Sequence, residues 1–273
     1  SGFVGGWIAS RLSDRGIRVT IPTRHRDNSK RLTTLPMVDM VEAKVHDPQT
    51  LVELMQGQDA VINLVGVLHD SDSRLPYGKG FAAAHVELPK KIIAAMRQSG
   101  LRRLVHMSAL QATSKGPSEY LRSKGEGEAL VRAAIPELDI TIFRPSVIFG
   151  ANDSFLNMFA KLARMSPVLP LGAGDARFQP VYVGDVATAF ADCLSDGVTF
   201  GQTYDLCGPK TYTLREIVEY TSQLVGRSPR IIDLGTGGWA YLQAGLLWLL
   251  PKPLLSPDNL RSMEVDSVSD GSH

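Results

Sequence analysis

Tyr120 and Lys124 stand four residues apart in a stretch that reads as a helix, Glu119–Ala134, so both side chains fall on one helix face. A phenol, with a pKa near 10, is a poor proton donor or acceptor at neutral pH. A neighbouring ammonium stabilises the phenolate and lowers that pKa, which suits the pair to acid–base work on a carbonyl or hydroxyl. The same lysine can hydrogen-bond a nicotinamide ribose. Ser108 follows the strand Arg103–Met107, twelve residues before Tyr120, where its hydroxyl can hold a substrate oxygen. Tyr-x-x-x-Lys alone is frequent by chance. Behind a serine at a strand tip, in an alternating strand–helix pattern, it becomes specific, and Ser108, Tyr120 and Lys124 form the candidate catalytic group.

A second constellation opens the chain. Ser1-Gly2-Phe3-Val4-Gly5-Gly6 runs straight into a helix predicted over Gly5–Asp14. Glycine lets the backbone approach a pyrophosphate, and a helix N-terminus offers free N–H groups and a positive dipole end. Gly2, Phe3, Val4 and Gly5 are therefore candidate nucleotide ligands, against the alternative of an ordinary tight turn. The next strand, Arg18–Pro22, leads into Thr23-Arg24-His25-Arg26. An acidic residue here would grip the ribose 2′-hydroxyl of NAD, whereas a basic one accommodates the 2′-phosphate of NADP. The planar guanidinium fork matches a phosphate. Arg24 and Arg26 thus favour NADP(H) over NAD(H), the alternative being a solvated basic loop. Asp47 either caps the helix Pro48–Met55 or lies near the adenine. Asn63, Val65 and Gly66 shape the cleft floor, through side chains or through backbone alone.

These residues need elements to hold them. Apolar runs at Arg18–Pro22, Val38–Ala43, Ala60–Val65, Arg103–Met107 and Asp139–Arg144 alternate with helices at Gly5–Asp14, Pro48–Met55, Val86–Ser99 and Glu119–Ala134. That alternation predicts an α/β fold with a Rossmann-type, doubly wound parallel sheet. Gly16 and Gly100 stand where helix C-terminal caps belong. Residues 1–150 read as the dinucleotide-binding domain and 151–273 as a smaller C-terminal lobe packed on the cleft. The lobe is expected to hold strands at Phe178–Val183 and Thr203–Leu206, and helices at Asn152–Ala163, Val183–Ser195 and Leu214–Val225. Asp185 is expected to cap the last turn into Val186 or to tie the two lobes. Gly235–His273 fits no regular pattern. Trp239–Leu250 suits a core segment or a protein-docking surface better than an interfacial membrane helix, and it falls short of the roughly 20 residues of a bilayer span. The first fingerprint glycine and the strand before it are missing, so the natural protein is expected to carry about ten further N-terminal residues with a hydrophobic strand.

A net charge of +1 gives no reason to expect a nucleic-acid partner. Cys193 and Cys207 make neither a disulfide framework nor a metal pattern. His69, His85 and His106 are not spaced as ligands, and no metal site is expected.

Gly2-Phe-Val-Gly5, Ser108, Tyr120-x-x-x-Lys124 and Arg144-Pro145-Ser146 together resemble the extended or atypical short-chain dehydrogenase/reductases. More closely, Tyr120-Leu-Arg-Ser-Lys-Gly-Glu-Gly-Glu128, Arg144-Pro-Ser-Val-Ile-Phe-Gly150, Phe155-Leu-Asn-Met-Phe159, Gln179-Pro-Val-Tyr-Val-Gly-Asp-Val186 and Pro257-Asp-Asn-Leu-Arg261 resemble the nucleotide-binding accessory subunits of respiratory complex I and their bacterial relatives. That resemblance implies a bound NADPH of structural or regulatory role and protein partners in a respiratory complex; peripheral membrane contact through 239–250 is the lesser alternative that the Trp239–Leu250 segment itself leaves open. It implies a place in the cytoplasm, on the inner face of a bacterial membrane or on the mitochondrial matrix side. By position, Gly2 and Gly5 would cradle the pyrophosphate, Arg24 would meet the 2′-phosphate, Tyr120 and Lys124 would sit by the nicotinamide ribose, and Pro145, Ser146 and Val147 would flank the nicotinamide. Two departures stand out. Lys44 replaces an acidic residue near the adenine, and His85 replaces an asparagine that supports catalysis in extended enzymes. The alternative is an active NAD(P)-dependent oxidoreductase or epimerase/dehydratase on a small carbonyl or sugar-nucleotide substrate. A roomy cleft beside the nicotinamide position would favour the enzyme, and one filled by residues 150–170 the binding module.

Overall fold

The computed structural model describes residues 2–25, 32–72, 74–248 and 256–271, with the side chains of 243 and 246–248 left aside. The first half runs α1 (Phe3–Asp14), β1 (Val19–Thr23), β2 (Val38–Glu42), α2 (Pro48–Met55), β3 (Ala60–Asn63), α3 (Lys79–Phe81), a π-turn at Ala82–Glu87 leading directly into α4 (Leu88–Ser99), β4 (Arg103–Met107), α5 (Glu119–Ala133) and β5 (Asp139–Pro145). Gly100 ends α4 in the left-handed conformation, φ 72°, as a helix C-cap glycine should.

β3, β4 and β5 form a parallel ladder, with Val61 opposite Leu104 and Leu104 opposite Ile140. Strands covered on both faces must be apolar on both, and β4 obliges with buried Leu104 and Val105 pointing to opposite sides. On one side Leu104, Ile140 and Ile142 pack with Met96 and Val131 from α4 and α5. On the other, Val105 and Phe143 pack with Ile8 and Leu12 of α1. Each such buried side chain contributes about 1.5–3 kcal/mol. β1 and β2 pair parallel in a separate ladder.

The second half adds β6 (Ile148–Phe149), α6 (Phe155–Met165), β7 (Val168–Gly172), β8 (Arg177–Phe178), β9 (Val181–Tyr182), α7 (Val183–Asp192), β10 (Thr203–Leu206), β11 (Tyr212–Thr213), α8 (Leu214–Leu224), β12 (Arg230–Gly235), α9 (Gly238–Trp248) and α10 (Pro257–Ser262). Three expectations change. β10, placed by its sequence in the lobe, joins the main sheet beside β5, Thr203 opposite Ile142, and α7 packs on α1. The chain therefore returns to the first domain after residue 150, since β5 needs a neighbour on its outer edge. The expected strand Phe178–Val183 is two short ones, broken at Gln179-Pro180 where proline cannot donate to a ladder. The unpatterned tail holds two helices. Among its described side chains α9 buries Ala240 and Ala244, one turn apart, and leaves Trp239 73% and Leu242 54% exposed. Tyr241 of the same helix packs against the lobe core beside the two alanines. Residues 249–250 of the expected 239–250 segment lie outside the described residues. Among the described residues no helix is long and apolar enough to cross a membrane. The lobe has its own core, in which Phe159, Leu171, Phe178, Leu214, Val218 and Ala240 meet.

Candidate functional site

One cavity, 1340 Å³ in volume, runs from between the two ladders past the tips of β1, β3 and β4 and into the lobe. Gly2, Phe3, Val4 and Gly5 line it, as do Arg24, Val65, Gly66, Ser108, Tyr120, Lys124, Pro145, Ser146 and Val147. The chain thus brings to one space most of the residues singled out above. Arg26 lies outside the described residues. Asp47 and Lys44 do not line the cavity; Asp47 caps α2, accepting from Thr50 N at 2.9 Å and Thr50 Oγ1 at 2.7 Å. Those bonds hold its carboxyl below the usual range. Of the two roles open to Asp47, the structure shows the cap.

α1 opens without a side-chain cap and with no acidic residue in its first turn. A Cβ on Gly2 would meet nothing within 4 Å, and one on Gly5 only Leu64 at 3.6 Å. An end without a side-chain cap, a positive dipole end and open space face the cavity together, which suits an anionic group.

The floor loop is held from behind. Asn63 is buried, its Oδ1 accepting from Val65 N at 3.2 Å and its Nδ2 3.1 Å from His106 Nδ1. Its side chain shapes the loop and does not line the cavity, so Val65 and Gly66 present the floor. The bond to Val65 also ends β3 at Asn63, two residues before the expected end. His85 Nε2 accepts from Val67 N at 3.0 Å, which leaves Nδ1 as the protonated nitrogen, 2.8 Å from Ser123 Oγ. Ser123 Oγ in turn donates to Tyr120 O at 2.9 Å. Burial foremost, then Lys124, pulls His85 down to about 3 and His106 likewise to about 3, so both rings are neutral at pH 7. His85 is a neutral strut between the floor loop and α5, a role invisible in the sequence.

α5 lies close on the π-turn because Gly127 permits it: a Cβ there would stand 1.9 Å from His85 O. Gly125 is equally tight, 2.4 Å from the Thr113 backbone. Lys124 Nζ donates to Met107 O at 2.6 Å. Burial lowers its pKa to about 8, against the opposing pull of Glu128. Tyr120 packs edge-on against Phe81 and His85, ring centroids 6.3 and 5.6 Å away. Its phenol is pushed up to about 12 by burial. The expectation that Lys124 lowers it is corrected: loss of water around the phenolate dominates, and the ammonium is spent on the Met107 carbonyl. Ser108 Oγ is buried and completes no hydrogen bond of good geometry, yet lies close enough to Glu128 to favour that carboxylate's charge.

Glu128, two turns after Tyr120, is an unforeseen member. Only 4% exposed, it takes a two-pronged bond from Arg144, Nε at 3.0 Å to Oε2, and another from Arg132. It ties α5 to the end of β5, from which Pro145–Val147 reach the cavity. A glutamate four residues past Lys124 was the available signal.

The tail also enters the site. Asp258 accepts from Glu119 N at 2.7 Å and Tyr120 N at 3.0 Å, capping the first turn of α5 from outside. Ser118 Oγ accepts from Leu121 N, and Ser262 Oγ donates to Ser118 Oγ at 2.8 Å. Ser146 is not free to face a ligand: its Oγ donates to Ser267 O at 2.8 Å and accepts from Gln179 N. Asp185 is exposed and α7 carries no side-chain cap, so neither expected role is realised. Among the described residues no group of histidine, cysteine and carboxylate side chains could hold a metal.

Residues 1–207 match the family described as NAD dependent epimerase/dehydratase. The chain is 32% identical over 276 residues, 98% of its length and 71% of the relative's, to "NADH dehydrogenase [ubiquinone] 1 alpha subcomplex subunit 9, mitochondrial" of Mus musculus. It is 29% identical over 248 residues, 90% of its length and 74% of the relative's, to "Ceramide reductase" of Caulobacter vibrioides. The fold matches that of DesIV, a dTDP-glucose 4,6-dehydratase from Streptomyces venezuelae, with a TM-score of 0.74 at 20% identity over 86% of this chain and 82% of that one. A nucleotide-sized cleft at the strand tips and a match over most of the sequence agree: the chain belongs to the NAD dependent epimerase/dehydratase family.

Proposed function

We propose that this chain is a nucleotide-binding module that holds NADP(H) in a structural or regulatory role and associates with respiratory complex I. The observation that carries the reading is the single cavity joining the uncapped N-terminus of α1 to Arg24 and to Lys124. Gly2–Gly5 would take the pyrophosphate, Arg24 the 2′-phosphate, and Tyr120 and Lys124 the nicotinamide ribose. Arg26 is proposed as a second phosphate contact. The nucleotide would supply a hydride if chemistry occurs. Similarity to the mouse subunit over nearly the whole chain supports complex I partners and a matrix-side or inner-membrane location, and exposed Trp239 and Leu242 offer a face for a partner or a membrane surface. A phenol held near 12 and a lysine bound to a carbonyl suit binding more than turnover. The test is to release the nucleotide from the purified full-length protein, identify it by mass spectrometry and measure its exchange. Tightly held, slowly exchanging NADPH agrees with the reading, and failure to bind NADPH overturns it.

A second reading is an active oxidoreductase on a carbonyl compound. Residues 154–162 line the cavity wall without filling the cleft, Ser108 keeps a hydroxyl without a completed bond beside Tyr120 and Lys124, and the Caulobacter relative bears a reductase name. NADPH oxidation on addition of a carbonyl compound, abolished by Tyr120→Phe, would select this reading.

A further inference from the structure

The cofactor end and the lobe end of the cavity differ in chemistry. Toward β1 and α5 the lining includes Arg24 and Lys124, and His69 lines it beside Asp258 of α10. Beyond residue 150, none of the described residues lining it is ionisable. Half-buried Phe155, Met158, Leu162 and Met263 make that wall over the packed lobe core, and its polar members are a few serines and Asn259. A nucleotide-linked sugar brings a diphosphate, whose charges need guanidinium, ammonium or convergent N–H partners once water is removed. Ser146 and Ser262, which could have offered hydroxyls, are tied to Ser267 and Ser118.

Resting on the reading of this cleft as a nucleotide site, we propose that its lobe end binds the aliphatic chain of a lipid, with the lipid's polar head at Ser108 and Tyr120. An unfilled apolar wall forfeits dispersion contacts that a flexible hydrocarbon restores, and the thioethers of Met158 and Met263 adapt to a chain of variable shape. The head position follows from the two hydroxyls at the junction: Ser108 Oγ is buried without a completed bond, and among the described residues the Tyr120 hydroxyl engages no side chain. Both lie on the lining between the nucleotide end and the apolar wall.

The probe is cis-parinaric acid, a polyene fatty acid that fluoresces when its chain leaves water, titrated into the NADPH-loaded full-length protein. Saturable binding, displaced by dodecanal and not by UDP-glucose, is expected. Leu162→Glu, which sets a carboxylate in the half-buried wall, is expected to weaken the probe about tenfold or more while NADPH affinity is unchanged. Met158→Trp, which fills the wall without charge, should weaken it too and guards against a misfolded Leu162→Glu protein. Absence of probe binding to NADPH-loaded protein, displacement by UDP-glucose, or wild-type probe binding by both variants would overturn the inference and leave the nucleotide reading standing. Failure to load NADPH at all would instead overturn the nucleotide reading.

Discussion

Two helix N-termini face the same cavity and are treated in opposite ways. α5 is capped three times over, by Ser118 on Leu121 N and by the Asp258 carboxylate on Glu119 N and Tyr120 N, with Ser262 bracing Ser118. α1 begins at Gly2 with no side-chain cap. Every helix leaves its first N–H groups without intrahelical partners. Where the protein satisfies them itself, the helix becomes a fixed platform, here for Tyr120 and Lys124. Where no side chain caps the end and open space lies beside it, as at α1, the helix end suits an anion from outside. Two ends that local helix geometry would make alike thus differ in whether side chains of the protein cap them.

The comparison can be broken at several points. The largest effect is expected on the platform. Gly127→Ala puts a Cβ where His85 O stands, 1.9 Å away, and should lower stability by about 3 kcal/mol through overpacking; urea unfolding measures it. Little loss would mean that α5 is free to shift. Next comes Gly2→Asp, which gives α1 the cap it lacks. Fold stability should hold or rise slightly, while NADPH affinity falls roughly 10–30-fold as a carboxylate occupies the anion's place. Isothermal titration calorimetry reads it, and unchanged affinity would remove α1 from the site. Asp258→Asn should cost about 1–2 kcal/mol by weakening two charge-assisted bonds on α5, with NADPH affinity within about twofold of wild type. A loss of affinity larger than the loss of stability would make the tail part of the binding site.

The smallest effect at neutral pH, and the sharpest test of the struts behind the site, is acid sensitivity. His85 and His106 stay neutral in the fold down to about 3, whereas their ordinary value is 6.5. Between those values the unfolded chain binds more protons, so stability present above 6.5 is lost as pH falls toward 3. In His106→Gln the fall should be shallower than in wild type. Equal slopes would place His106 in contact with water.

Much of the scaffold was legible because it is local. The 3.6-residue and two-residue periodicities located the helices and strands of the first half to within a residue or two, apart from the early start at Lys79. The π-turn at Ala82–Glu87 defeated periodicity, because its extra residue shifts the apolar face, and the helix pattern was recognisable only from Val86. Trp239, expected in core or in contact with a partner, is not in the core: it is exposed, while Ala240 and Ala244 are buried.

By itself the sequence determined the alternation of elements and the sharing of one helix face by Tyr120 and Lys124, since each depends on residues within a turn or two of one another. The tertiary structure decided the rest. It set β10 beside β5, brought Asp258 across 138 residues to Tyr120, and made His85 a neutral strut. Burial also drove the Tyr120 phenol up where its neighbour alone would have drawn it down. Solvation and partnership across long separations are properties of the packed chain, and no short window of sequence contains them.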